Sequence, residues 1–100
     1  MAPKFELGTV YATQGATAAF NREADADLLD SPAQAVLLLL RHSTGDWGDL
    51  SDADKALNDE AVLDHGRILS AYTLRYTQIK IWVITKADRK TTTLLLPDEY

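Results

Sequence analysis

The chain has no cysteine. Disulfides are excluded, and so are zinc or iron–sulfur sites ligated by thiolates. Histidine is scarce, at two residues. His42 and His65 are not spaced four apart as on a metal-binding helix, so no metal and no cofactor are expected. Long apolar runs are missing. The longest, Ala35–Leu40, is far short of the roughly 20 residues that span a bilayer. The start, MAPKFELG, lacks the apolar centre of a signal peptide, so the expectation is a cytoplasmic protein with no membrane contact. A basic surplus is also missing, since the net charge is −5. Phosphate contacts need a basic footprint, so direct nucleic-acid binding is not expected. Internal repeats, linkers and low-complexity segments are absent.

What remains is one domain of 100 residues, 46% hydrophobic and 25% charged, enough for a single modest core. Charge is unevenly spread. Residues 23–66 hold eleven acids against Arg41 and Lys55, a balance of −9, while residues 67–100 hold six bases against three acids, +3. The acidic middle reads as a solvated helical surface.

The stretch Arg67–Glu99 organises the fold. Three runs rich in β-branched and aromatic residues, Ile68–Tyr76, Ile79–Thr85 and Thr91–Leu96, are separated by short breaks near Thr77-Gln78 and at Lys86–Lys90. Connections this short join antiparallel neighbours, which predicts a three-stranded meander. In the middle run Ile79, Ile81 and Val83 face one way and Lys80, Trp82 and Ile84 the other, as in a central strand. Pro97, without an N–H, ends the last strand.

Upstream, Phe5–Ala12 alternates weakly and reads as a first strand with Gly8 as a bulge. Thr13 is placed to cap a short helix over Ala16–Glu23 that buries Ala16, Ala19 and Phe20. Ser31-Pro32-Ala33-Gln34 carries a capping box, with Ser31 as N-cap and Pro32 in the first helical position. The helix runs to about Ser43, and its core stripe is Ala33, Val36, Leu37 and Leu40, widened by Leu38 and Leu39. Ser51 caps a third helix that ends at Leu63 or breaks near Asn58, with Gly66 as its stop. The fold class is α+β: an antiparallel three- or four-stranded sheet with two or three helices packed on one face.

Arg41, His42, Asp46 and Trp47 form the most site-like cluster. A tryptophan face beside an arginine, a histidine and an aspartate suits a planar or anionic group. The plainer alternative makes Trp47 a plug at the core edge and Asp46 a cap for the next helix. His65, Arg67, Ser70 and Tyr72 gather near the start of the meander, but no Gly-x-Ser-x-Gly elbow surrounds Ser70, so no nucleophilic triad is expected. Asp88 and Arg89, with Thr91, Thr92 and Thr93, make a polar hairpin tip. Its ordinary reading is turn chemistry, and its sharper one a phosphate contact. Asp49–Glu60 has the end-to-end spacing of a calcium loop but carries Ala53 and Asp54 where a ligand and a glycine are required.

The segments YATQGATAA (11–19), RHSTGDWGDL (41–50), RILSAYTL (67–74) and IWVITKADRKTTTLLLPDEY (81–100) together resemble a family of small proteins of proteobacterial plasmids and integrative elements, usually described only as plasmid-related. The family typically has proline where this chain has Gln14 and glutamate where it has Lys86. The resemblance implies an accessory protein of a mobile genetic element and carries no catalytic residues. The expected function is thus non-enzymatic interaction with a protein partner, by a monomer or weak dimer. Two alternatives are an acidic DNA mimic using residues 23–64 and a small-molecule binder using the Arg41–Trp47 loop.

Overall fold

Four strands and three helices follow one another in a computed structural model that describes residues 2–100. They are β1 (Thr9–Ala12), α1 (Gln14–Ala24), α2 (Ser31–Ser43), α3 (Asp52–Asp64), β2 (Ile68–Thr73), β3 (Lys80–Thr85) and β4 (Thr91–Leu95), with a 3-10 turn at Pro97–Glu99. The class is α+β, as the sequence pattern predicts. The meander β2–β3–β4 is antiparallel, with Ser70 opposite Val83 and Val83 opposite Leu94. The strand order is β1-β4-β3-β2. The N-terminal strand joins the sheet parallel to β4, Val10 beside Thr92, so one pair departs from the antiparallel expectation.

Register places Ile68, Ser70, Tyr72, Ile81, Val83, Thr85, Thr92 and Leu94 on one face, all of them buried. Helices α1 and α2 cover it, inserting Ala16, Ala19, Phe20 and Leu38. A second cluster, Trp47, Ala61 and Ile68 with Phe5, Leu50 and Val62, extends this core toward α3. On the opposite face Leu69 and Trp82 are half-buried beside Leu50 and Leu57, while Ala71, Ile84 and Leu95 are buried.

Local chemistry corrects several boundaries. Asp30, not Ser31, is the N-cap of α2. Its carboxylate accepts the Ala33 N–H at 2.9 Å, while the Ser31 hydroxyl donates to Asn21 Oδ1 at 2.6 Å. Both residues are good caps; the carboxylate reaches the amide one turn on because the helix begins one residue earlier than Pro32 suggests. Thr13 and Ser51 cap α1 and α3 as expected. Helix α3 does not break at Asn58. It ends where His65 turns left-handed at φ 64°, a position expected of Gly66. Strand β2 stops at Thr73, three residues short of its apolar run. The run leaves the ladder because Glu23 reaches in from α1 and accepts the N–H groups of Tyr76 and Thr77, each at 2.9 Å.

The core stripe of α2 is the largest difference. Val36, Leu37 and Leu40 are 61, 47 and 48% exposed, whereas Leu38 is 7% and Gln34, His42 and Ser43 are buried. The inner face is the ridge Gln34–Leu38–His42, flanked by Ala35 and Leu39. Two of the three ridge positions are polar, and hydrophobic pattern alone turned the helix the wrong way round.

The two edges of the sheet are finished differently. Beyond β2, the Asn58 side chain takes the place of a missing strand: Nδ2 donates to the Leu69 carbonyl at 2.7 Å, and Oδ1 accepts the Leu69 N–H at 3.3 Å. Next to it, Ala71 donates to Trp47 O at 3.2 Å and accepts from the Asp49 N–H at 2.7 Å. Gly48 lies between them at φ 76°, so close that a Cβ would collide with the Ala71 carbonyl. At the other edge, Thr9 and Thr13 donate to Lys90 O and Leu94 O. Odd-numbered residues of β1 therefore face β4, and the backbone groups of Val10 and Ala12 point outward.

Candidate functional site

His42 sits at the centre of a buried hydrogen-bond chain. Its Nδ1 is 2.6 Å from Ser70 Oγ and its Nε2 is 2.9 Å from Thr85 Oγ1. Thr85 Oγ1 lies 2.7 Å from Thr92 Oγ1, which donates to Leu7 O at 2.7 Å. Each hydroxyl has one proton, so the chain has a direction. Thr92 gives its proton to Leu7 and must accept from Thr85. Thr85 must accept from His42 Nε2–H. Nδ1 is left to accept from Ser70. The imidazole is thus the neutral Nε2–H tautomer. Burial, reinforced by the positive charge of Arg89, pushes its pKa down to about 3. A serine beside a histidine has the form of a nucleophile and its base. Here both are fully buried, and the second ring nitrogen meets a threonine where a carboxylate would be needed. The arrangement pins α2, β2, β3, β4 and the N-terminal segment together.

The rest of the predicted cluster divides. Trp47 is 4% exposed, packs beside Phe5 and His42, and donates from Nε1 to Asp59 Oδ1 at 2.9 Å. It is the core plug. Asp46 does not cap α3, a role Ser51 fills. Instead it accepts Arg41 Nε at 2.6 Å, and this pairing holds its carboxyl below the usual range while raising the guanidinium pKa. The Arg41 guanidinium also lies 4.6 Å from the centre of the Tyr72 ring. The Tyr72 hydroxyl donates to Asp46 O at 2.6 Å, and burial pushes its pKa up to about 12. Of the four clustered residues, Arg41 and Asp46 reach the surface and His42 and Trp47 do not.

The hairpin tip is structural. Asp88 accepts the Lys90 N–H at 2.9 Å. Arg89 reaches across to the carbonyls of Gly66 at 2.6 Å and Ala61 at 2.9 Å, satisfying the C-terminal end of α3. Arg67 packs its guanidinium against Tyr100, donating to the hydroxyl. It also borders a groove of about 390 Å³ floored by Leu50, Leu57, Leu69 and Trp82.

Two buried polar residues escaped the sequence reading. Glu23 is 2% exposed. Burial raises its pKa, but the N–H groups of Tyr76 and Thr77 and the Thr77 hydroxyl outweigh this, and the carboxyl ends below its ordinary value. Gln34 is 5% exposed; Nε2 donates to Leu29 O at 2.9 Å, and Oε1 has no partner. Glu23 lies on a helix face whose other buried residues are apolar, and that break in the pattern was the available signal; Gln34 shares its face with His42 and Ser43 and offered none. A second groove, of about 280 Å³, opens beside them between α2 and residues 73–75.

Among the described residues no three histidine, aspartate or glutamate side chains gather as a metal site, and no helix is long and apolar enough to cross a membrane. The chain matches no family model, no curated protein and no solved structure.

Proposed function

We propose that the protein is a non-enzymatic interaction module, an accessory component of a mobile genetic element, that docks a protein partner on the outer face of α2. The observation that carries this reading is the exposed ridge Val36, Leu37 and Leu40. These residues recur at the spacing of a helix-in-groove or helix-on-helix contact, and the domain's own core does not use them. The segment leading into the helix carries Asp25, Asp27 and Asp30 within a stretch of strongly negative balance. The partner is therefore a protein whose apolar ridge or groove is bordered by lysine or arginine. The internal commitment of His42, Ser70 and Tyr72 supports a binding role over a catalytic one.

The test is affinity capture from the host, with mass spectrometry, using parent and Val36→Asp/Leu40→Asp baits. The expected result is a protein held by the parent, released by moderate salt and lost from the double variant, whose unfolding midpoint stays close to the parent's. Identical captured sets for the two baits would refute the docking face.

A further inference from the structure

We propose that the groove between α2 and residues 73–75 is a binding site for a short apolar carboxylate that also carries an amide N–H, the chemistry of a peptide's free C-terminal end or of an acylated amino acid. The proposal stands apart from the docking face, with which it shares only Leu37.

Gln34 is the first reason. Its side chain is buried, and Nε2 is fixed by its bond to Leu29 O. Exchanging the two amide atoms would set oxygen against oxygen, so the orientation is determined. Oε1 is left as a buried acceptor in the lining of the groove, with no hydrogen-bond partner. Such an atom is unfavourable unless a donor meets it. A ligand N–H supplies one.

Charge is the second reason. At the Gln34 end stand Glu23 and Asp27. Glu23 is already engaged by Tyr76 and Thr77, and Asp27 Oδ1 accepts the N–H groups of Leu28 and Leu29. These carboxylates repel a second anion and favour a donor. Arg41 stands two turns further along α2, and Arg75, whose backbone also meets the Glu23 carboxylate, lines the facing wall. Arg41 uses Nε for Asp46, leaving its terminal nitrogens free, and Arg75 lies over the Tyr76 ring with no ion pair among the described residues. These two guanidinium groups are the groove's partners for a ligand carboxylate. Leu37, Leu38 and Leu74 line the space between. Gln34 and Arg41 are seven residues apart on one helix, two turns or about 10 Å. Two residues of extended chain plus an arginine side chain cover that distance.

Amide-resolved NMR titration with N-acetyl-alanyl-leucine tests the site. Expected are saturable shifts of the Gln34 side-chain amide and of the Leu74 and Arg75 backbone amides. The C-terminally amidated analogue should bind about tenfold more weakly, as should the free acid to Arg75→Gln, a surface change that leaves the spectrum dispersed. A decapeptide with the same C-terminus separates the sources. Tighter binding than the acetylated dipeptide assigns the site to protein tails; equal binding assigns it to small acylated amino acids. No saturable shift up to about 10 mM, equal binding of acid and amide, or shifts centred on Trp82 in the other groove would each overturn the proposal.

Discussion

His42 fixes the protons around it in one order, and this makes the fold sensitive to acid. In the unfolded chain the imidazole takes up a proton near pH 6.5, whereas in the folded protein it does so only at about 3. The unfolded state therefore binds more protons between these values, and stability falls as pH drops through that window. The difference corresponds to roughly 5 kcal/mol between pH 7 and pH 3. Glu23, whose carboxyl is also depressed, adds loss in the same direction at the lower end. Urea denaturation at pH 7, 5.5 and 4 is expected to show a steadily falling midpoint; a flat profile would mean His42 is not held neutral. Trp47 is a second residue-scale case. Trp47→Phe removes buried aromatic surface and the bond to Asp59, and is expected to lower stability by about 1–3 kcal/mol. Parental stability in denaturation curves would return Trp47 to the list of ligand platforms. The plug was legible in the sequence, because Gly-Asp turns flank the residue and need no ligand to explain them. The burial of His42, Glu23 and Gln34 was not. His42 and Glu23 are satisfied by groups 28 to 54 residues away in the chain, and Gln34 only at Nε2, by Leu29; no local pattern announces such partners.

At the scale of elements, most helices and strands were readable, because caps and β-branched runs are local signals. What failed was orientation. Helix α2 is apolar on two sides, and the sequence reading seated the wrong one on the sheet. The contrast gives a paired prediction. Leu38→Ala is expected to cost about 2–5 kcal/mol, as for a buried leucine, while Leu37→Ala is expected to stay within about 0.5 kcal/mol. Equal losses in chemical denaturation would contradict the placement of the helix. The cap makes a similar pair. Asp30→Ala is expected to destabilise by about 1 kcal/mol through the lost bond to Ala33, with a smaller effect for Ser31→Ala, whose hydroxyl joins an exposed bond to Asn21. A larger loss for Ser31→Ala would restore it as the cap. The parallel pairing of β1 was likewise hidden. Its alternation is weak, and its place beside β4 depends on Thr9 and Thr13 meeting Lys90 and Leu94 at the far end of the chain.

For the whole molecule, the two sheet edges behave like the reactive ends of a monomer in polymer chemistry. Growth into a fibre needs two such ends on every unit. This protein has one: β1 leaves the Val10 and Ala12 backbone open, while beyond β2 Asn58 and residues 47–49 occupy the bonds a neighbour would use. Asn58→Leu would free Leu69 at the closed edge. It is expected to cost about 1–3 kcal/mol and to raise the mass seen by light scattering at high concentration. An unchanged mass and an unchanged unfolding midpoint would show that the amide is not what closes the edge. In the parent chain, a second copy adding at β1 consumes the one available end of each molecule. Any association through the sheet is then self-limiting: it closes at a pair, and a side-chain amide on α3 acts as the chain stopper.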